Sequence, residues 1–135
     1  MTEFKLTISD PKTGKSYNKA IDTTIFKNKK IGDVIEGDSL GLKGYQLEIT
    51  GGSDTSGFPM RKDLEGITKK RALLIRGPGI RTRGIRKRKT IRGNAVTLTT
   101  AQVNLKVKTY GQKSLEEIFG TKKEEVKEQP EAQAE

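Results

Sequence analysis

Apolar and polar residues alternate from the start of the chain. Phe4, Leu6 and Ile8 recur at every second position between residues 2 and 9, which is the period of a half-buried β-strand. Residues 10–15 read DPKTGK and have the composition of a turn, and residues 16–21 resume an extended pattern. The pattern therefore predicts an N-terminal β-hairpin. Residues 45–49 alternate in the same way and predict a further strand.

The C-terminal half has the same character and one helical signal. Residues 94–108 alternate around Val96 and Leu98 and again from Val103, so they predict two strands with a turn at 99–102. Ser114 and Glu117 have the spacing of a capping box and predict a short helix that ends near Gly120. Together the patterns predict a mainly β fold: a small antiparallel, barrel-like body with one or two short helices.

One segment fits neither regular period. Isoleucine followed by arginine recurs at 75–76, 80–81, 85–86 and 91–92, in steps of five and six residues. A helix requires apolar residues three or four apart, and a strand requires them two apart. Gly77, Pro78, Gly79 and Gly84 add frequent chain breakers. We therefore expect residues 72–75 to end a buried strand and the following residues to leave the body. The arm, defined as residues 69–93, is predicted to be irregular.

The arm also concentrates the charge of the protein. The formal net charge is +10, yet residues 66–92 hold eleven cations and no acidic residue, so the remainder is nearly neutral. Such a density favours a polyanion as partner. Arginine predominates, and its guanidinium pairs bidentately with phosphate and stacks on exposed bases, which suits folded RNA. The predicted RNA-binding residues are Arg61, Lys62, Lys69, Lys70, Arg71, Arg76, Arg81, Arg83, Arg86, Lys87, Arg88, Lys89 and Arg92.

A glycine-rich loop precedes the arm. Residues 51–60 read GGSDTSGFPM, in which glycines permit tight turns and Asp54 is able to bond the backbone locally. The loop lacks the lysine of a nucleotide-binding loop. We expect it to be structural and to shape a turn beside the basic surface through Gly51, Gly52, Asp54, Gly57 and Pro59.

Composition excludes several functions. The chain has no histidine and no cysteine, which removes the commonest general base, the commonest metal ligand and any thiolate site. The N-terminus lacks an apolar signal core, and no apolar run approaches the length of a membrane span. We therefore expect a cytoplasmic protein that is not an enzyme, with no metal, cofactor, small-molecule substrate or membrane partner.

The glycine loop also carries a family resemblance. Residues 49–54 (ITGGSD) followed by 57–60 (GFPM) resemble the signature of ribosomal protein S6e, a small-subunit protein of archaea and eukaryotes. Residues 73–75 and the arginine-rich stretch 79–93 are similar to the basic segment of that family, and the likeness runs from Phe4 to about Phe119. The resemblance implies a β-rich body anchored on small-subunit ribosomal RNA, beside neighbouring ribosomal proteins, with a structural role.

The end of the chain departs from part of that family. Eukaryotic members continue into a long basic helical extension with phosphorylated serines, and nothing of that kind follows Gly120, so the resemblance implies an archaeal-type member. We expect residues 1–120 to form a single RNA-binding domain and residues 121–135 to be an acidic, flexible tail. Two alternatives stay open: a free-standing RNA-binding or ribosome-assembly factor, and an RNA-modifying or nucleotide-using enzyme.

Overall fold

The computed structural model describes residues 3–77 and 80–120, apart from the side chains of residues 23 and 24. Five strands form one sheet in the order β2-β1-β7-β4-β3, in which β1 and β7 are parallel and the other neighbours are antiparallel. Two more strands form a separate antiparallel pair. The strands are β1 (Glu3–Ser9), β2 (Ser16–Asp22), β3 (Val34–Glu36), β4 (Gln46–Asp54), β5 (Lys69–Leu74), β6 (Lys87–Arg92) and β7 (Thr100–Thr109).

The hydrophobic core lies on one face of the five-stranded sheet. The predicted alternation supplies it, because Phe4, Leu6 and Ile8 from β1 are buried beside Val103 and Leu105 from β7. Two 3-10 helices, Thr23–Phe26 and Gly37–Leu40, connect the strands. The sheet is not closed, so the protein is mainly β as predicted, but it is not a barrel.

A single short α-helix, residues 115–120, ends the described part of the chain. The Ser114 hydroxyl accepts a hydrogen bond from the Glu117 N–H at 3.4 Å, as the capping box predicts. The helix packs against the N-terminal hairpin, where the Phe119 ring stacks on the Tyr17 ring with centroids 4.9 Å apart. The predicted acidic tail, residues 121–135, lies outside the described residues.

The first of the two strands predicted in residues 94–108 is wrong, because residues 94–98 form only an isolated bridge between Ala95 and Lys30. Two further details of the predicted β-structure are also wrong. Residues 99–102 are predicted to form a turn, but residues 100–109 form one continuous strand, and the turn lies at residues 98–99. Residues 51–54 were assigned to the loop, but they extend β4. In both cases pairing between β4 and β7 holds polar and glycine residues in extended structure, because hydrogen bonding along a central strand outweighs weak local preference.

The arm is more regular than its sequence predicts. Its two ends, β5 and β6, pair antiparallel from Lys69 opposite Arg92 to Leu74 opposite Lys87, and we call this pair the ribbon. In the connection between them, residues 75–77 and 80–86 are irregular, and the predicted breakers at 78–79 lie outside the described residues. Residues 72–75 do not end a buried strand either, because Leu73 and Ile75 are more than half exposed. A strand pair that is largely solvated needs no apolar alternation, so its sequence lacks the period of two.

Within residues 3–77 and 80–120, no helix combines the length and apolarity that crossing a membrane requires. The same residues contain no group of three or more carboxylates suited to hold a metal ion.

Candidate nucleic-acid interface

The ribbon and its tip present most of the predicted cations to solvent. The tip is the described part of the connection between β5 and β6, residues 75–77 and 80–86. Nine of the eleven cations of residues 66–92 are exposed, Lys89 is half-buried, and Arg92 is buried. Because these segments contain no acidic residue of their own, the potentials of the exposed charges add. The exposed cations are Lys69, Lys70, Arg71, Arg76, Arg81, Arg83, Arg86, Lys87 and Arg88.

The two faces of the ribbon differ. Residues opposite each other in an antiparallel pair project from the same face, so Leu74 and Ile91 share one face and Leu73 and Arg88 share the other. Leu74 and Ile91 are buried against the protein. On the other face Arg92 is buried at the base of the ribbon, and beyond it Arg71, Leu73 and Arg88 are exposed; we call these three residues the open face. The open face is therefore available to a partner, and two of its three side chains are arginines.

The glycine loop joins the ribbon to the five-stranded sheet through main-chain hydrogen bonds. The Met60 N–H donates to the Gly52 carbonyl at 2.9 Å, on the β4 side. On the ribbon side the Arg92 N–H donates to the Pro59 carbonyl at 2.9 Å, and the Arg61 N–H donates to the Arg92 carbonyl at 3.0 Å. Residues 59–61 thus lie between β4 and β6 and fix the base of the ribbon to the body.

Asp54 lies at the centre of this junction and is almost fully buried. Its Oδ1 atom accepts hydrogen bonds from the backbone N–H groups of Ser56 and Phe58, both at 2.9 Å. Its Oδ2 atom lies 3.1 Å from the Lys69 ammonium and 3.6 Å from the Arg92 guanidinium. The prediction that Asp54 bonds the backbone locally therefore describes only half of its contacts.

Arg92 and Lys69, both predicted from sequence as RNA contacts, lie beside the buried Asp54 carboxylate, but Lys69 remains exposed. Arg92 is 3 % exposed, and its NH2 group donates to the Ile67 carbonyl at 3.3 Å and also to the Thr97 hydroxyl. Lys69 is partly exposed, and its ammonium lies 5.1 Å from the centroid of the Phe58 ring. Both cations therefore connect the base of the ribbon to Asp54. The sequence gives no signal for Ile67 or Thr97 as partners of Arg92.

The two predicted cations that follow the loop, Arg61 and Lys62, are not part of the ribbon. Arg61 pairs with Asp63 at 3.3 Å, and Lys62 is exposed. Arg61 contributes to the junction through its backbone, as described above.

The loop glycines have different structural roles. A Cβ on Gly52 would lie 2.3 Å from the Gln102 carbonyl oxygen of β7, so only glycine fits there. Gly57 has a φ of 85°, in the left-handed region that favours glycine. Gly51 has open space around it.

The charge state of Asp54 makes the junction sensitive to acid. Burial raises the pKa of the Asp54 carboxyl, but the Phe58 and Ser56 N–H groups and the Lys69 ammonium outweigh it, so the pKa lies below its usual 3.8. A carboxyl with a depressed folded-state pKa stabilises the fold above its unfolded pKa, and that stabilisation is lost as the pH falls through the folded pKa.

We therefore expect the free energy of unfolding, measured by urea titration, to fall as the pH is lowered from about 5 to about 2. Asp54→Asn should show a smaller decrease over this range. Some dependence should persist, because the Tyr110 hydroxyl lowers the pKa of Asp10 as well. Equal pH dependence in the two proteins would contradict the charged role of Asp54.

Comparison with known proteins gives a consistent family assignment. The family model of ribosomal protein S6e matches residues 4–120. The small ribosomal subunit protein eS6 of Methanocaldococcus jannaschii is 46% identical over 131 residues, covering 96% of this chain and 100% of the relative. The protein of the same name from Archaeoglobus fulgidus is 45% identical over 128 residues, covering 90% and 99%. The matched residues include the glycine loop, the ribbon and the strands that hold them, and the chain therefore belongs to the ribosomal protein S6e family.

Proposed function

We propose that this protein is a structural constituent of the small ribosomal subunit, in the cytoplasm, that binds folded ribosomal RNA through the ribbon and its tip. The role is one of binding and not of catalysis. Its contacts are the nine exposed cations, with Arg71 and Arg88 on the open face and Arg76, Arg81, Arg83 and Arg86 at the tip. Its other proposed partners are neighbouring ribosomal proteins.

One observation carries this proposal: nine exposed cations lie on the ribbon and its connection, a segment that contains no acidic residue. Mutual repulsion makes such an arrangement unfavourable in isolation, and a polyanion removes the repulsion. Phosphates of RNA supply that charge, and the release of their counterions drives binding. The five-stranded sheet and the glycine loop then serve to fix the ribbon in one orientation.

The proposal predicts strongly salt-dependent binding to an in vitro transcribed small-subunit ribosomal RNA. If about six to nine phosphates are engaged, the association constant should fall roughly a thousandfold or more between about 50 and 200 mM salt. Arg88→Ala should weaken binding and reduce the slope of log K against log salt by about one unit. Filter binding or fluorescence anisotropy over a salt series measures both quantities.

Lys108→Ala is the matched control, because it removes one exposed cation from the far end of β7. Lys108 is eight positions along β7 from Thr100, which pairs with Asp54 near the base of the ribbon. Eight strand positions correspond to roughly 26 Å. It should leave the slope nearly unchanged. Equal effects of the two substitutions, or salt-insensitive binding by the wild type, would contradict the ribbon as the binding element.

Co-sedimentation separates a subunit constituent from a transient assembly factor. The protein should remain with small subunits through washing in high salt, because a folded particle encloses many contacts at once. Complete release under conditions that retain other subunit proteins would favour the free-standing factor.

A further inference from the structure

The base of the ribbon holds two cations directly opposite each other. Lys69 in β5 and Arg92 in β6 are partners in the strand register, so their side chains project from the same face. Like charges at such positions destabilise a strand pair. Here both approach Oδ2 of one buried carboxylate, Asp54, at 3.1 and 3.6 Å. A single anion therefore contacts both strands of the ribbon at the point where they leave the body.

We propose that Asp54 is a positioning residue for RNA binding, which fixes both strands of the ribbon to the body and so presets the open face and the tip for RNA. This inference rests on the proposed function. It assigns to Asp54 an effect on the affinity for RNA although Asp54 does not contact the RNA. We call the arrangement of Asp54, Lys69 and Arg92 the carboxylate clamp.

The carboxylate is itself rigidly held. Oδ1 is fixed by the Ser56 and Phe58 N–H groups of the glycine loop, which leaves Oδ2 directed at the two cations. Arg92 is held from its other side by the Ile67 carbonyl and the Thr97 hydroxyl. The clamp thus connects the glycine loop, the ribbon and Thr97, which precedes the turn at residues 98–99.

The ribbon needs such support. A two-stranded pair is marginally stable by itself, and repulsion among its exposed cations opposes order still further. Ordering a loose ribbon on RNA would reduce the affinity, whereas a ribbon that is already fixed avoids that cost. The clamp lowers the net positive charge of the region and yet should raise its affinity for RNA.

Asp54→Asn separates these two effects, because it keeps the Oδ1 acceptor and removes the negative charge. Electrostatics alone predicts equal or tighter binding to the transcribed small-subunit ribosomal RNA, since the net charge becomes more positive. The clamp predicts binding that is about tenfold weaker, with the salt slope unchanged. Amide hydrogen exchange should be faster in β5 and β6 than in the wild type, while β1 and β7 keep their protection.

Lys69 and Lys70 give a matched pair that does not require Asp54 to be altered. They are adjacent exposed lysines on opposite faces of β5, and only Lys69 contacts Asp54. Lys69→Ala should weaken RNA binding several-fold more than Lys70→Ala, because it removes a clamp contact as well as a charge. In the Asp54→Asn background the two lysine substitutions should have equal effects, since the clamp is already broken.

The outcomes also distinguish this inference from the proposed function. If the wild type shows no salt-dependent RNA binding, the proposed function fails. If the wild type binds but Asp54→Asn binds as tightly or more tightly, the clamp fails alone. Should Asp54→Asn not fold, the lysine pair decides: equal effects of Lys69→Ala and Lys70→Ala in the otherwise native chain would overturn the clamp.

Discussion

Arg92→Ala is expected to be strongly destabilising, by about 3–5 kcal/mol in the free energy of unfolding. Arg92 is a buried member of an ion pair, and its loss leaves the buried Asp54 carboxylate with Lys69 as its only cationic partner within the salt-bridge distance among the described residues. The Ile67 carbonyl and the Thr97 hydroxyl also lose the hydrogen bond that each accepts from Arg92. Urea denaturation monitored by circular dichroism measures the change.

Arg88→Ala removes the same charge from the same strand and is the control. Because Arg88 is exposed on the open face, its substitution should change the free energy of unfolding by less than about 0.5 kcal/mol. It should instead reduce RNA affinity. Similar stability losses for the two variants would show that burial does not distinguish these arginines.

Gly52→Ala is the second change with a large expected effect, about 2–3 kcal/mol of destabilisation. The new Cβ would lie 2.3 Å from the Gln102 carbonyl oxygen and 3.2 Å from the Met60 sulfur. The carbonyl belongs to the backbone of the central strand β7, so the clash is relieved only if β4 and β7 separate locally. Their separation would disturb the hydrogen bond from the Met60 N–H to the Gly52 carbonyl, which joins the ribbon to the sheet.

Gly51→Ala tests whether the effect is specific to one of two adjacent glycines. No atom lies within 4 Å of a Cβ placed on Gly51, so the variant should be within about 0.5 kcal/mol of the wild type. Thermal melts of both variants compare them directly. A large loss at Gly51 together with tolerance at Gly52 would be incompatible with the packing between β4 and β7.

The local sequence predicted those parts of the fold whose side chains follow one period. The N-terminal hairpin and the C-terminal cap at Ser114 are confirmed, because burial on one face and capping are encoded by neighbouring residues. The start of β7 was not predicted, because residues 100–102 become extended only through pairing with β4 and β1. A local pattern carries no information about partner strands that are about fifty and nearly one hundred residues away in the chain.

The arm likewise has properties that the sequence predicts and one that it does not. Its charge and its lack of acidic residues are properties of the sequence, and they were sufficient to propose RNA as the partner. The pairing of β5 with β6 was not predictable by period, because a mostly solvated ribbon places no constraint on apolar positions.

What the sequence alone determined is therefore the mainly β class, the concentration of positive charge and the resemblance carried by the glycine loop. Only the tertiary structure decided which cations face solvent and which support the fold. Arg88 and Arg92 look equivalent in the sequence, but Arg92 is opposite Lys69 at the ribbon base, where both reach the buried carboxylate of Asp54. The physical reason is that burial and ion pairing depend on distances between segments far apart in the chain, which residue type and spacing do not specify.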